Sequence, residues 1–402
     1  MKRAFACIVM LILLSGVSPA ARADTPEISD HVAFLREKGQ DPVAYLAGLF
    51  ERHKIVVFGE TRHDETTQYE FLQQVMRHPA FAARVKAVFT EVGSRSQQDA
   101  MDAFLQSRDG DEAPLIRIGQ ACTFHKAGWA NANIYEFWKN LWKLNQSLPP
   151  HQRIWAFLSD VAWDWNAFRT KADYTNKMLE VADRDFLMAK LIENRIRQLD
   201  RDCAADKKRK DRYLVIMNTR HALGRVKSAK SDTWGRNVGY FLETAFGPDQ
   251  VSIVLYHQPR QSVIQAEPGS IHLIRDGRWD AAFAANRNKP VGFDLAGSPF
   301  GNDPFDYSDY FKAATYQDAV DGLIFWKPLS QYLCRPCSER FYQDPTFYTE
   351  IERRAKALEE ENPFEQEVAR YGVEWLVSEF PKMRQHPYPA AEVEPLFRKW
   401  LR

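Results

Sequence analysis

The chain has little of what would assign it on inspection. No segment after residue 23 carries a long uncharged apolar run, so no transmembrane helix is expected there. The formal net charge is +1, from 54 basic and 53 acidic residues. That balance supplies no basic field for a phosphate backbone and argues against nucleic acid as the main partner. The one basic run, Lys207 to Arg212, reads as a solvated helix end before a strand. There is no G-x-S-x-G turn, which excludes a serine hydrolase of that type. There is no H-E-x-x-H helix, no P-loop and no dinucleotide glycine fingerprint. Internal repeats and low-complexity tracts are also missing.

Cysteine is scarce, at five residues, and its placement matters because of the N-terminus. Met1-Lys2-Arg3, the apolar run Ala4 to Val17 and Ala21-Arg22-Ala23 form a secretory leader pattern over residues 1–23. A periplasmic or secreted protein is therefore expected. Cys7 falls inside the apolar run, away from the cleavage point, and gives no lipid-attachment signal. Export permits disulfides among the four remaining cysteines. Cys334 and Cys337 are expected to form a structural bridge, since Pro328 and Pro336 replace the helix that a redox motif opens. Cys122 is expected to pair with Cys203 if the fold brings them together. A zinc knuckle lacks its second cysteine pair.

The remainder alternates short β-branched runs with amphipathic stretches. Ile55–Phe58, Ala87–Thr90, Ile154–Leu158, Tyr213–Met217 and Val251–Leu255 have the continuous apolar character of strands buried on both faces. Residues 291–295 and 322–326 look like further strands. Helical patterns lie between them: Thr66–His78, Gln97–Gln106, Ile134–Gln146, Asn166–Cys203 with breaks, and Gly235–Phe246. This rhythm predicts an α/β fold, a mostly parallel sheet flanked by helices. The expected organisation is a domain over residues 24–330 and a C-terminal helical extension over 331–402, packed on it.

In a parallel sheet, ligands bind beyond the carboxyl ends of the strands. The first strand runs into Gly59-Glu60-Thr61-Arg62-His63-Asp64, and the second into Glu91-Val92-Gly93. The third runs into Ser159-Asp160, the fourth into Asn218-Thr219-Arg220-His221, and the fifth into Tyr256-His257. Histidine with carboxylate is thus the available chemistry. A carboxylate orients the imidazole, and neutral histidine deprotonates water. An unperturbed ring does so above about pH 6.5, and an adjacent Glu60 moves that limit upward. A second histidine or an arginine stabilises the oxyanion. The same atoms, His63, His221, Glu60 and Glu91, also make a sufficient ligand set for a divalent metal. His257 reads as a structural loop residue. Trp129, Trp163 and Trp165 can line a pocket under either reading.

Several of these motifs resemble the erythromycin esterase-like, ChaN-like and Tiki superfamily. Gly59-Glu60-Thr61-Arg62-His63 is similar to its first motif, and Glu91 to its next acidic position. Asp183-Arg184-Asp185-Phe186-Leu187-Met188-Ala189, with Asn194 following, is similar to its Arg-Asp-x-x-Met helix start. Asn218-Thr219-Arg220-His221-Ala222 is similar to its later strand-end histidine. The resemblance runs from about Lys54 to Pro328 and implies a parallel α/β core with the site at the strand ends. Its esterase branch implies a hydrolase in which the first histidine activates water and no cofactor is required. Its Tiki branch implies a metal-dependent peptidase, and its ChaN branch a haem-binding lipoprotein. Gly59 and His63 are spaced as in the esterase branch; the Tiki pattern has one residue fewer. No lipid-attachment motif is present, nor the long helical insertion of the antibiotic esterases. The expectation is a hydrolase of an ester, amide or lactone acting on a small-molecule or peptide substrate. His63 is its base, oriented by Glu60 and Glu91; His221 with Arg62 or Arg184 stabilises the oxyanion, and Asp160 is a further member. The rival is a protein that holds haem or a divalent metal through His63 or His221.

Overall fold

A computed structural model describes residues 26–122, 131–203, 210–261, 270–335, 339–342, 344 and 346–402. The expected leader, Trp129, Cys337, the side chain of Cys203 and residues 207–209 of the basic run lie outside the described residues. Among the described residues the strands are β1 (Ile55–Glu60), β2 (Val85–Ser94), β3 (Trp155–Asp160), β4 (Arg212–Asn218), β5 (Lys227–Ser228), β6 (Val251–Tyr256), β7 (Val291–Asp294), β8 (Phe311–Lys312) and β9 (Gly322–Phe325). Seven of them form one sheet in the order β3-β2-β4-β1-β6-β9-β7, while β5 and β8 make a small separate ribbon. Every pairing in the large sheet is parallel except β7 with β9 at the edge. The fold is α/β, with helices on both faces and further helices at the C-terminus.

The strand sequences explain the layering. Successive side chains of a strand face opposite ways, so an all-apolar strand needs cover on both sides. Val56, Phe58, Leu214, Ile216 and Val254 enter one core, while Ile55, Val57, Tyr213, Val215 and Ile253 enter the other. The helices Thr67–Arg77, Gln98–Gln106 and Ala132–Gln146 cover the first face with Phe71, Met101 and Trp138. The helix Arg184–Cys203 covers the second with Met188, Ile192, Ile196 and Leu199, spaced three or four apart as one helical stripe. C-terminal residues serve both faces: Phe347, Ile351 and Phe364 join the first core, and Trp400 and Leu401 pack against the second.

The structure adds elements to the sequence reading and corrects the expected Cys122–Cys203 pair. Helices Pro26–Lys38 and Pro42–Arg52 precede the first strand, a region left unassigned from sequence. The stretch Asn166–Cys203 divides into Lys171–Glu180, closed by a Thr170–Asp173 capping box, and Arg184–Cys203. Cys122 is a buried free thiol in the first core, whereas Cys203 ends a helix on the opposite face, so the sheet separates the expected pair. Cys334 is likewise a buried free thiol, and its expected partner Cys337 lies outside the described residues. No helix among the described residues is long and apolar enough to cross a membrane.

One irregularity positions the site. Thr90 pairs with Leu158 and Ser94 with Asp160, so Glu91, Val92 and Gly93 of β2 stand opposite Ser159 alone. This bulge re-aims Glu91. Gly93 sustains it at φ +121°, where a Cβ would also press into the Leu158 side chain. Gly93→Ala is therefore expected to cost about 2 kcal/mol, combining backbone strain and overpacking. Denaturant unfolding monitored by circular dichroism measures it; a midpoint equal to wild type would show that the bulge is not so constrained.

Candidate active site

Glu60 is the last residue of β1, and the chain then turns through residues 61–66 before the helix Thr67–Arg77. That turn swings His63 back over the strand end, where its Nδ1 pairs with Glu60 Oε1. The other Glu60 oxygen accepts from the Tyr69 hydroxyl at 2.8 Å, in the first turns of the helix. Asn133 donates to the carbonyls of His63 at 2.7 Å and Glu65 at 3.0 Å, fixing the turn from a helix on the same face. The side chains of Glu60 and Glu91 are 1% exposed and that of His63 is 13% exposed, so the pair is nearly closed from water with one edge of the imidazole open.

Glu91 is the hub. Its Oε1 lies 3.6 Å from His63 Nε2, 3.3 Å from His221 Nε2 and 3.2 Å from Arg184 Nη2. Its Oε2 accepts from the backbone N–H of Asn218 at 2.8 Å. Arg184, the first residue of its helix, also donates through Nε to Asp160 Oδ1 at 2.6 Å. His221 sits in the short helix Thr219–Ala222 after β4, and Asp185 holds its Nδ1 at 2.7 Å. Asp160 in turn accepts from the Val161 N–H at 2.8 Å and from the Trp163 indole at 3.1 Å. Carboxylates and cations therefore alternate across the ends of β1, β2, β3 and β4.

Charge follows from this packing. Burial alone would favour neutral His63, but the Glu60 and Glu91 carboxylates outweigh it and push its pKa up to about 10. His221 is likewise raised, against its burial, by Glu91 and Asp185. Burial would make Glu91 easier to protonate, yet His221 and His63 hold it well below the usual carboxylate range. The site is thus a buried cluster of paired acids and bases, in which Arg184 Nη1 also lies 3.3 Å from His221 Nε2. What it can do chemically is pass a proton at His63 and offer N–H groups at Arg184 and His221.

A second clamp comes from far along the chain. Leu333 O accepts from both the N–H and hydroxyl of Thr66, at 2.7 and 2.8 Å. The Arg335 N–H donates to Asp64 O at 2.9 Å, and Cys334 pairs with Gln385 on its other side. The His63 turn is thereby held as part of a small backbone ladder with the C-terminal region.

Glu60, His63, Glu91, His221, Arg184 and Asp160 all meet in this cluster. Arg62 does not: Asp64 takes its guanidinium at 2.9 and 2.8 Å and its side chain is 53% exposed, so of the two arginines expected as alternatives only Arg184 stands in the cluster. His257 lies elsewhere, fully buried and bonded to Asp280 at 2.9 Å, as a structural residue. Trp163 and Trp165 border a separate cavity of about 380 Å³ with Arg354. Asp185 and Tyr69 were missed from sequence. Asp185 stands beside Arg184 in a motif already singled out, which was signal enough; Tyr69 carried none. Glu60, His63 and Glu91 offer donor atoms within 4.8 Å of one another, the set that could hold a metal; His221 is not part of it.

No protein-family model and no curated protein matches the chain. Solved structures similar to it include a mutant of erythromycin esterase EreC in its open conformation, with a TM-score of 0.47 and 11% identity, covering 71% of this chain and 96% of that one. A Bacillus cereus protein has a TM-score of 0.45 and 11% identity, covering 73% of this chain and 95% of that one. The type III effector HopBA1 has a TM-score of 0.31 and 12% identity, covering 57% and 87% respectively. With likenesses this distant, the case for the site rests on its own distances and charges.

His63 has a folded pKa above its unfolded value, so the stability it contributes is fully present below about pH 6.5 and is lost as pH rises through about 10. The difference in unfolding free energy between wild type and His63→Gln is expected to shrink across that window. The histidine ¹³C resonances, assigned by the same variant, are expected to show His63 titrating near 10. A midpoint near 6.5 would refute the coupling to Glu60 and Glu91.

Proposed function

We propose that the protein is a hydrolase of an ester, amide or lactone bond in a small-molecule or peptide substrate, with His63 as the proton-transfer residue. The observation that carries this reading is the convergence of Glu60, His63 and Glu91 with the cations of Arg184 and His221 at the strand ends. In its neutral form His63 takes a proton from water through Nε2, while Nδ1–H stays donated to Glu60 and Tyr69 steadies that carboxylate. The water oxygen bonds to the carbonyl carbon, and the developing oxyanion is met by Arg184 and His221. The imidazolium then returns the proton to the leaving alcohol, amine or ring oxygen. With a pKa of about 10, only about one His63 in 10³ is neutral at pH 7. The compensation is that the same carboxylates stabilise the imidazolium as it forms. Turnover is therefore expected to climb through the alkaline range. The same proposal includes a site of action outside the cytoplasm, which the leader pattern of residues 1–23 supports.

A metal is the second reading, and Glu60, His63 and Glu91 fit a divalent cation in donor type and spacing. Such an ion would lower the pKa of a bound water. Against it stands the Arg184 guanidinium, 3.2 Å from Glu91, which already supplies positive charge to that carboxylate. Haem ligation through His221 fits less well, because Asp185 and Glu91 engage both of its ring nitrogens.

The test is a panel of nitrophenyl esters, lactones and peptides run on wild type and His63→Ala, with and without a chelator. Loss of roughly 10²–10⁴ in kcat with His63→Ala, insensitive to chelator, is expected. Activity unchanged by His63→Ala removes the proposal. Activity silenced by chelator and restored by a divalent cation selects the metal reading instead.

A further inference from the structure

A cavity of about 400 Å³ opens beside the site, and its wall includes Arg184, Arg220, His221, Arg236, Asn237 and Phe311. Most of the charge on that wall is already matched. Arg184 is held by Asp160 and Glu91, His221 by Asp185 and Glu91, and Arg236 by Asp183. Asp183 and Asp185, the acidic members of the wall, are thereby both neutralised. Arg220 is left. It is exposed, precedes His221 directly, and forms no ion pair among the described residues.

A second observation comes from Asn237, which borders the same cavity and is 5% exposed. Its Nδ2 is buried without a hydrogen-bond partner among the described residues. A buried donor left unsatisfied is costly, and such groups in folded proteins call for an acceptor. An unpaired guanidinium and an unsatisfied amide donor on one wall have the same complement, an oxyanion with several acceptor atoms. Phe311 supplies an apolar surface for the carbon skeleton that carries it.

We propose that the substrate is an anion: a carboxylate or phosphate group, carried on the same molecule as the bond to be cleaved, binds between Arg220 and Asn237 while the carbonyl faces His63, Arg184 and His221. This inference rests on the hydrolase reading for the second half of that statement, whereas the anion subsite stands on Arg220 and Asn237 alone. Arg220 and Asn237 are specificity residues here; neither is assigned a place in the proton transfer.

The experiment compares matched nitrophenyl esters, a neutral butyrate and a hemiglutarate bearing a terminal carboxylate. Wild type is expected to prefer the hemiglutarate in kcat/KM by about tenfold, the effect of one charge-assisted contact. Arg220→Gln is expected to remove that preference through KM, Arg220→Lys to keep part of it, and Asn237→Asp to invert it. The Asn237 side chain makes no capping hydrogen bond, so the last variant removes no cap from the helix Val238–Phe246 and should fold. A parallel arm measures glutarate and inorganic phosphate binding by calorimetry, expecting about tenfold weakening in Arg220→Gln. Preference for the neutral ester in wild type, or the same ratio in Arg220→Gln, overturns the proposal. If neither ester is cleaved by wild type, the hydrolase reading fails, and the calorimetry alone decides the subsite: no binding of either anion sinks it.

Discussion

A carboxylate 1% exposed cannot keep its charge unless the protein replaces the water it has lost, and Glu91 is the place where this chain meets that demand. Four donors do the replacing, and each arrives on a different piece of backbone. His63 comes from the turn after β1, Arg184 from the start of a helix, His221 from the short helix after β4, and the Asn218 N–H from β4 itself. The bulge in β2 exists at the same point because an unbroken strand would leave Glu91 facing one of the two cores. The sheet order follows the same logic: β2, β4 and β1 must be adjacent for their ends to share one charge.

Around this hub the site divides into two halves with different tasks. Toward Tyr69, the Glu60–His63 pair is a place where a proton can be held or released. Toward Asp160 and Asp185, Arg184 and His221 are fixed positive charges, each steadied by a carboxylate of its own. Hydrolysis of a carbonyl bond needs both, since a proton must leave the water as negative charge builds on the carbonyl oxygen.

Much of this was legible in the sequence because strands buried on both faces announce themselves. Ile55–Phe58, Tyr213–Met217 and Val251–Leu255 fall within β1, β4 and β6, and the polar residues at their ends stand where the strand-end rule puts them. The remainder turned on information that pattern does not carry. Arg62 and His63 are neighbours in sequence, yet only the fold of the turn decides which faces Glu60 and which faces Asp64. The β2 strand continues past its apolar run through Glu91 to Ser94, although the polarity of Glu91 reads as the end of a strand. The Cys122–Cys203 pairing ignored the sheet, which stands between helices whose order in sequence says nothing of the face each will cover. Tyr69 is one aromatic residue among many on an amphipathic helix. Its hydroxyl contact with Glu60 follows only from the packing of that helix.

The ladder between residues 64–66 and 333–335 ties together stretches that lie 267 positions apart from Thr66 to Leu333. Asn133 grips the His63 turn from one side, and Leu333 and Arg335 grip it from the other. Cys334 is itself paired with Gln385, so the tie continues further along the chain. The aim of His63 is thus a property of distant segments as much as of its own loop.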